Sequence, residues 1–429
     1  MLENDKVNGG AHPASTVQAQ EASIFAPQNT QQVQEVVAWA LAQQQPLQIE
    51  GTGTKLGWGR AVELPHRLTL KNFSGIIDYQ PEELVLTAKA GTPMAQIEAA
   101  LAEHGQILPF EPINPAAFAS GHGEPMQTTG TLGGVLATNL SGPRRLKAGA
   151  ARDHVLGLTA VSGRAEVFKA GGKVVKNVTG YDVARAFCNS WGTLMIATEL
   201  TLKVLPRPQE ERSLCVLGAS CETASQIMSA AMASSAEVSS AAYLPDFVAR
   251  RLASNPLADM GSLTLLRLEG SSGSIAARFR QLQSALNAYG EQSTLDASTS
   301  GSIWRQIRDV VPLALPQTCL WRISLAPAHG HRFLQALPHS LASGYFRDWA
   351  GGLVWLQTPT EEPEGETIRA ALHKAGGGHA TLMRAPLAQR QQQQVFQPQP
   401  APLQQLSQRI KQQFDPQAVL NPGRMYAGS

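Results

Sequence analysis

"IEGTGTKLGWGR", Ile49 to Arg60, sets Gly51, Gly53, Gly57 and Gly59 among two threonines and a lysine. Backbone this free of side chains lets a ligand or another segment come very close. A P-loop would need Gly-Lys followed by Ser or Thr, but Lys55 lies between Thr54 and Leu56. A dinucleotide fingerprint would need its third glycine where Leu56 stands, at the opening of a helix. Trp58, Gly59 and Leu64-Pro65 begin no amphipathic helix, and Leu47-Gln48-Ile49 reads as a short strand. The stretch is therefore strand, loop, strand. Consecutive N–H groups in such a loop can form an anion-binding nest without a helix dipole. The same glycines suit an ordinary surface turn, and the loop alone leaves both readings open.

The chain around it has 429 residues, a length for two or three domains. Its 43% hydrophobic and 16% charged content is globular, with ample core to bury. A net charge of +2 provides no field for nucleic acid or an anionic membrane. The first residues, "MLENDKVNGGAHPAST", lack the apolar core of a secretory signal. No apolar run approaches the roughly 18 residues of a membrane span. Cys188, Cys215, Cys221 and Cys319 are scattered without a Cys-x-x-Cys, so neither an iron–sulfur cluster nor a metal site is expected. A cytoplasmic setting is expected, with peripheral attachment at the inner membrane through partners left open.

Asn29 and Gln32 have capping-box spacing before Val33, Val36, Val37, Ala40 and Leu41, which predicts a helix. Leu68 to Leu70, Leu84 to Ala88, Val155 to Val161, Glu166 to Phe168 and Leu194 to Val204 read as strands. A second helix is expected with Thr92 as N-cap, Pro93 in its first turn and Gly105 as its stop. Twenty of the 38 glycines fall between Gly51 and Gly192, marking where backbone turns tightly or meets a ligand. Beyond a boundary at Pro206-Arg207-Pro208, strand-like and helix-like segments alternate, as in an α+β domain with an antiparallel sheet. "GSSGS" at 270–274 reads as a loop. The Gln- and Pro-rich run from Gln389 to Pro402 reads as linker or surface rather than core. A last helix carries Leu403, Leu406, Ile410 and Phe414 on one face.

Three further stretches give the first loop its context: "TTGTLGGVLATNLSGPRR" (Thr128 to Arg145), "KNVTGYDVARAFCNSWGTLMIATELTLKVLPRP" (Lys176 to Pro208) and the C-terminal "FDPQAVLNPGRMY". In order and spacing they resemble the flavoproteins of the vanillyl-alcohol oxidase / p-cresol methylhydroxylase (PCMH) type. Within that group the chain looks most like the E-subunit family of bacterial glycolate oxidases. The resemblance covers roughly residues 15–208 and the last 25; the middle matches only the E subunits.

The resemblance implies an α+β fold: a two-subdomain PCMH-type FAD-binding domain at 15–208, a smaller α+β cap at 209–400, and a segment at 401–429 that returns to the first domain. It implies non-covalent FAD, because the place of the linking histidine in covalent relatives holds Thr54. Gly51, Thr52, Gly53, Thr54, Lys55, Leu56 and Gly57 would hold the pyrophosphate by backbone N–H groups. Thr128, Thr129, Gly130, Thr131, Gly133, Gly134, Asn139, Ser141 and Gly142 would run beside the ribityl chain and the ring. Gly192, Thr193, Leu194 and Ile196 would continue that surface, with Met195 where relatives usually have glycine. Asn177, Gly180 and Tyr181 read either as a hairpin or as pocket lining.

The implied activity is that of a flavin-bearing subunit in a glycolate (2-hydroxy-acid) dehydrogenase complex, carrying electrons as glycolate becomes glyoxylate. Implied partners are a larger FAD-containing catalytic subunit and an iron–sulfur subunit. Catalytic relatives carry a cap motif of the type His-x-Gly-Asp-Gly-Asn-x-His. Here the nearest stretch is "AGGGHATLMR", whose His379 has no acidic partner, so no catalytic residue is assigned. His122 is a weaker pocket candidate, His104 reads as a helix end, and Arg152, Asp153 and His154 as surface pairing. Arg144-Arg145 reads as a solvated face rather than a carboxylate clamp. Two other readings remain: a self-sufficient FAD-dependent D-2-hydroxy-acid dehydrogenase, and a flavin-free scaffold, which the costly glycine loops argue against.

Overall fold

A computed structural model describes residues 22–115, 130–173, 181–342 and 344–428. Thr128, Thr129, His122, Asn177 and Gly180 lie outside the described residues. Asn29 accepts from the Gln32 N–H at 2.9 Å and starts the helix Thr30–Gln43, whose Val33, Val37 and Ala40 are fully buried. The Gln32 side chain answers one residue early, accepting from the Gln28 N–H at 2.7 Å.

Strands β1 (Ser23–Phe25), β2 (Leu47–Glu50) and β3 (His66–Thr69) form a parallel sheet in the order β1-β3-β2. Strands β4 (Ile76–Gln80) and β5 (Val85–Lys89) lead to β6 (Gln106–Ile107), β7 (Val155–Ser162), β8 (Val167–Gly171), β9 (Met195–Lys203) and β10 (Leu205–Pro206). Five of these make an antiparallel sheet ordered β4-β5-β9-β7-β8, while β6 pairs with β10. The C-terminus returns here. The Leu47 N–H donates to Val419 O at 2.7 Å and the Asn421 N–H to Leu47 O at 3.0 Å, extending the parallel sheet beyond β2.

The second lobe is one antiparallel sheet: β11 (Glu210–Leu217), β12 (Ser240–Leu244), β13 (Leu263–Gly270), β14 (Gln292–Leu295), β15 (Leu320–Ser324), β16 (Tyr345–Asp348), β17 (Leu353–Gln357) and β18 (His379–Arg384). Their order is β14-β11-β13-β12-β16-β17-β15-β18. Both faces are covered, so the strands read as continuous apolar runs rather than alternating ones. Leu214 and Val216 face one core and Cys215 and Leu217 the other, as a period of two requires. The latter core also takes Trp58, Ile113, Leu140 and Trp191 from the first lobe, so burial joins the lobes.

Several expectations are corrected. Thr92 is not a cap: Pro93 precedes the helix Met94–Glu103, and Thr92 Oγ1 donates to Lys89 O at 2.7 Å and accepts from the Gly75 N–H. "GSSGS" is not all loop, since a helix begins at Ser272. The Gln- and Pro-rich run is not confined to the surface. Val395 is fully buried, Phe396 packs 5.1 Å from Trp191, and Arg390 is buried against the first loop. Polar composition concealed three anchoring residues.

Candidate flavin site

After Glu50 the chain turns through Gly51–Gly57. Gly53 holds φ at +77°, a region costly for residues with a side chain. The Leu56 N–H donates to Gly53 O at 3.0 Å and the Trp58 N–H to Lys55 O at 3.1 Å. The N–H groups of Thr52, Gly53, Thr54 and Lys55 donate to no acceptor among the described residues. A Cβ on Gly51 would lie 2.3 Å from Thr131 Oγ1, so only glycine lets the first and second loops meet. Thr131 caps the helix Leu132–Thr138 by accepting from the Gly134 N–H, and the Gly133 N–H donates to Ala90 O at 2.8 Å. The third wall is Trp191-Gly192, both at positive φ. Asn421 fixes it, donating to Trp191 O at 2.9 Å while accepting from the Ile49 N–H at 2.8 Å.

These walls surround a cavity whose empty space, counted with its open mouth, is about 900 Å³. Its polar part is Gly51 to Leu56 with Thr131; Leu70, Phe187, Met195 and Ile196 make apolar wall. Thr52 Oγ1 is buried there without a hydrogen-bond partner. The Lys55 ammonium has no carboxylate partner among the described residues; its hydrogen bond is a long one, 3.4 Å to Thr54 Oγ1. Burial pulls the Lys55 pKa down to about 8. Arg424 lines the same cavity and donates to Lys55 O at 2.6 Å and Arg60 O at 3.0 Å. Burial first, and the Arg390 charge second, lower its pKa to about 10. Arg390 donates to Leu56 O and Gly59 O, so two guanidiniums hold the loop by its carbonyls. Glu50, the acid in the lining, is engaged by Arg67 at 2.6 Å. Among the described residues the site is short of negative charge. An orphaned hydroxyl, an uncompensated cation and a cradle only glycine permits fit a cofactor with a diphosphate.

The FAD binding domain family matches residues 22–171. Glycolate oxidase subunit GlcE of Escherichia coli (strain K12) is 35% identical over 403 residues, covering 93% of this chain and 97% of that protein. The chain belongs to the GlcE family of glycolate oxidase subunits. Glycolate oxidase subunit GlcD of Bacillus subtilis (strain 168) is 30% identical over 208 residues, 48% of this chain and 42% of that one. In fold, the chain resembles substrate-bound p-cresol methylhydroxylase with a TM-score of 0.69 at 15% identity, covering 94% of this chain and 88% of the other.

In this GlcE-family chain Gly51, Thr52, Gly53, Thr54, Lys55, Leu56, Thr131, Gly133, Gly134, Gly192 and Ile196 line the one cavity. Gly130 adjoins it, since a Cβ there would lie 2.5 Å from Lys55 Nζ. Gly57, Asn139, Ser141, Gly142, Thr193 and Leu194 are not in its lining. Asn139 ends a helix at φ +49° and accepts from the Arg152 N–H; Ser141 Oγ accepts from the Ala151 N–H. Thr193 Oγ1 donates to Ser190 O. Gly142 belongs to the lobe junction, its carbonyl accepting from Trp349 Nε1 at 3.0 Å. Phe187, Asn421 and Arg424 were not singled out as site residues. The C-terminal "LNPGR" was the signal for two of them.

The expectation for Arg144-Arg145 is overturned. Arg144 grips the protein's own carboxylates, bidentate to Glu269 through Nη2–Oε1 at 2.5 Å and Nε–Oε2 at 3.0 Å and lying 3.0 Å from Glu111. Arg145 stacks over Trp349 at 4.2 Å. Arg267, 1% exposed, completes the cluster through Glu111 at 2.8 and 3.0 Å and Ser240 Oγ. Burial alone would raise the Glu269 pKa; Arg267 and Arg144 outweigh it and hold it at about 2. His154 is buried and bonded to Ala148 O, while Arg152 and Asp153 do form an exposed pair. His379 is exposed on β18 and His104 ends a helix, as expected. Among the described residues no helix is long and apolar enough to cross a membrane, and no three His, Cys, Asp or Glu gather for a metal.

Proposed function

We propose that this chain is the flavin-bearing subunit of a complex oxidising glycolate or a related 2-hydroxy acid, holding FAD non-covalently in the cavity between its three glycine loops. The observation that carries this reading is the cradle: among the described residues its N–H groups meet no acceptor, the Thr52 hydroxyl is orphaned and Lys55 has no carboxylate partner. Bound FAD supplies the capacity to accept and pass on electrons. The chain's own residues bind and orient it: the first loop at the diphosphate, and Thr131 to Gly134 and Gly192 to Ala197 along the flavin. Among the described residues the lining has no His, Cys or Tyr side chain to attach the ring covalently. We assign the chain's three parts as 15–208 for flavin binding, 209–400 as cap and 401–429 as the returning segment.

The partners on this reading are a larger FAD-containing subunit with the substrate site and an iron–sulfur subunit. The four cysteines are free, and Cys188, Cys215 and Cys319 are buried, so cluster chemistry belongs to another chain. The arginines beside the cap are committed as well: Arg144 and Arg267 serve the protein's own carboxylates. The isolated chain is therefore expected to be yellow yet unreactive. Acid precipitation should release all the colour into the supernatant. Anaerobic mixing with glycolate and with D-lactate should leave the flavin oxidised; prompt bleaching would make the chain a self-sufficient dehydrogenase, and a colourless protein that takes up no FAD would make it a scaffold.

A further inference from the structure

Backbone amides account for part of an anion site, but they do not account for a buried ammonium. Lys55 stands against both glycine loops, close enough that a Cβ on Gly130 would lie 2.5 Å from its Nζ and one on Gly134 3.5 Å. Among the described residues the charged groups around the cradle come from other elements, and none is an acid free to neutralise it. Arg424 from the C-terminal segment and Arg390 from the helix Leu387–Gln392 donate to loop carbonyls, and Glu50 on β2 is bound to Arg67. The Trp58 ring, 5.5 Å away, completes its surroundings. A cation enclosed in this way, beside an unpartnered Thr52 hydroxyl, is a site prepared for a phosphate oxygen.

We propose that the Lys55 side chain is a proton-linked anchor for the cofactor's diphosphate, so that FAD binds the protonated lysine and draws a proton from solvent at alkaline pH. This rests on the flavin reading above and adds to it a specific charge contact and a pH law. With no ligand, burial lowers the lysine pKa to about 8. A bound diphosphate opposes that effect and raises it. Affinity is therefore full below about 8 and falls above it, by about tenfold per pH unit until the bound lysine itself titrates.

The test uses the full chain stripped of flavin and titrated with FAD and with riboflavin, following flavin fluorescence from pH 7 to 9.5. Wild type, Lys55→Met and Lys55→Arg are compared, with far-UV circular dichroism as the check on folding. Lys55→Met is expected to weaken FAD binding about 10–100-fold at pH 7, to flatten the alkaline decline and to leave riboflavin binding unchanged. Lys55→Arg should retain affinity at pH 7 and also lose the decline, because guanidinium stays charged. Calorimetry of wild type at pH 8.5, in two buffers of different ionisation enthalpy, should show proton uptake. Equal FAD affinities for wild type and Lys55→Met, or an equal loss for riboflavin, would overturn the anchor and leave the flavin site standing. Failure of wild type to bind FAD at any pH would overturn both.

Discussion

Arg144 and Arg267 lie at the junction of the lobes, Lys55 and Arg424 in the cradle of the first lobe, and the two groups of buried cations are treated oppositely. At the junction Glu111, Glu211 and Glu269 surround the guanidiniums, with Glu111 and Glu269 at hydrogen-bond distance. In the cradle the cations meet carbonyl oxygens and one hydroxyl, and their pKa values fall through burial. The junction is satisfied by the protein itself and serves as structure. The cradle has no free counter-charge among the described residues. Burial of a charge alone therefore does not mark a functional site; in the cradle it is the missing counter-charge together with the open loop amides and the orphaned Thr52 hydroxyl that does.

The strongest way to break this contrast is at the junction. Arg267→Met would leave Glu111 and Glu269 facing each other with one cation fewer. It is expected to cost about 3–5 kcal/mol of stability in urea denaturation. An unchanged midpoint would show that the cluster does not hold the lobes together. In the cradle, Gly53→Val should do the reverse, abolishing FAD binding while far-UV circular dichroism stays native. The forced positive φ adds strain of about 1–2 kcal/mol. Full flavin occupancy in a folded Gly53→Val protein would show that the loop serves another ligand.

Asp348 sharpens the comparison through pH. Burial raises its pKa from 3.8 to about 7, despite the Trp349 N–H donated to it at 2.7 Å. Because the folded pKa is the higher one, its contribution is fully present below 3.8 and is lost as pH rises through about 7. Asp348→Asn, which has no such titration, should gain on wild type between pH 5 and 7 by on the order of 1–3 kcal/mol. Parallel melting curves across that range would remove Asp348 from the account. The smallest effect belongs to the helix Ala401–Phe414, where Leu403, Leu406 and Ile410 are exposed despite their shared face. Leu406→Gln should change stability by less than about 0.5 kcal/mol. A larger loss would mean that this stripe is packed.

Much of the fold was legible because its signals are local. The cap at Asn29, the stop at Gly105, the apolar strand runs and the positive φ of Gly53 act within a few residues. The unforeseen parts join distant segments. Arg390 reaches Leu56 across 334 residues and Arg424 reaches it across 368, so no window of sequence contains either contact. Arg144 was misread for the same reason, its acid Glu269 lying 125 residues away. Two adjacent arginines after a loop resemble solvated surface until a second lobe covers them.

By itself, then, the sequence determined where backbone can bend without steric cost and which segments must be buried. Those are properties of single residues and their periodicity; the cofactor itself was implied only by the resemblance of three motifs, in order, to a flavoprotein family. Only the tertiary structure decided which charges would be neutralised. Placing a carboxylate beside Arg144 and Arg267, and none among the described residues beside Lys55, is a matter of distance between segments, and electrostatic energy depends on that distance and on water being excluded.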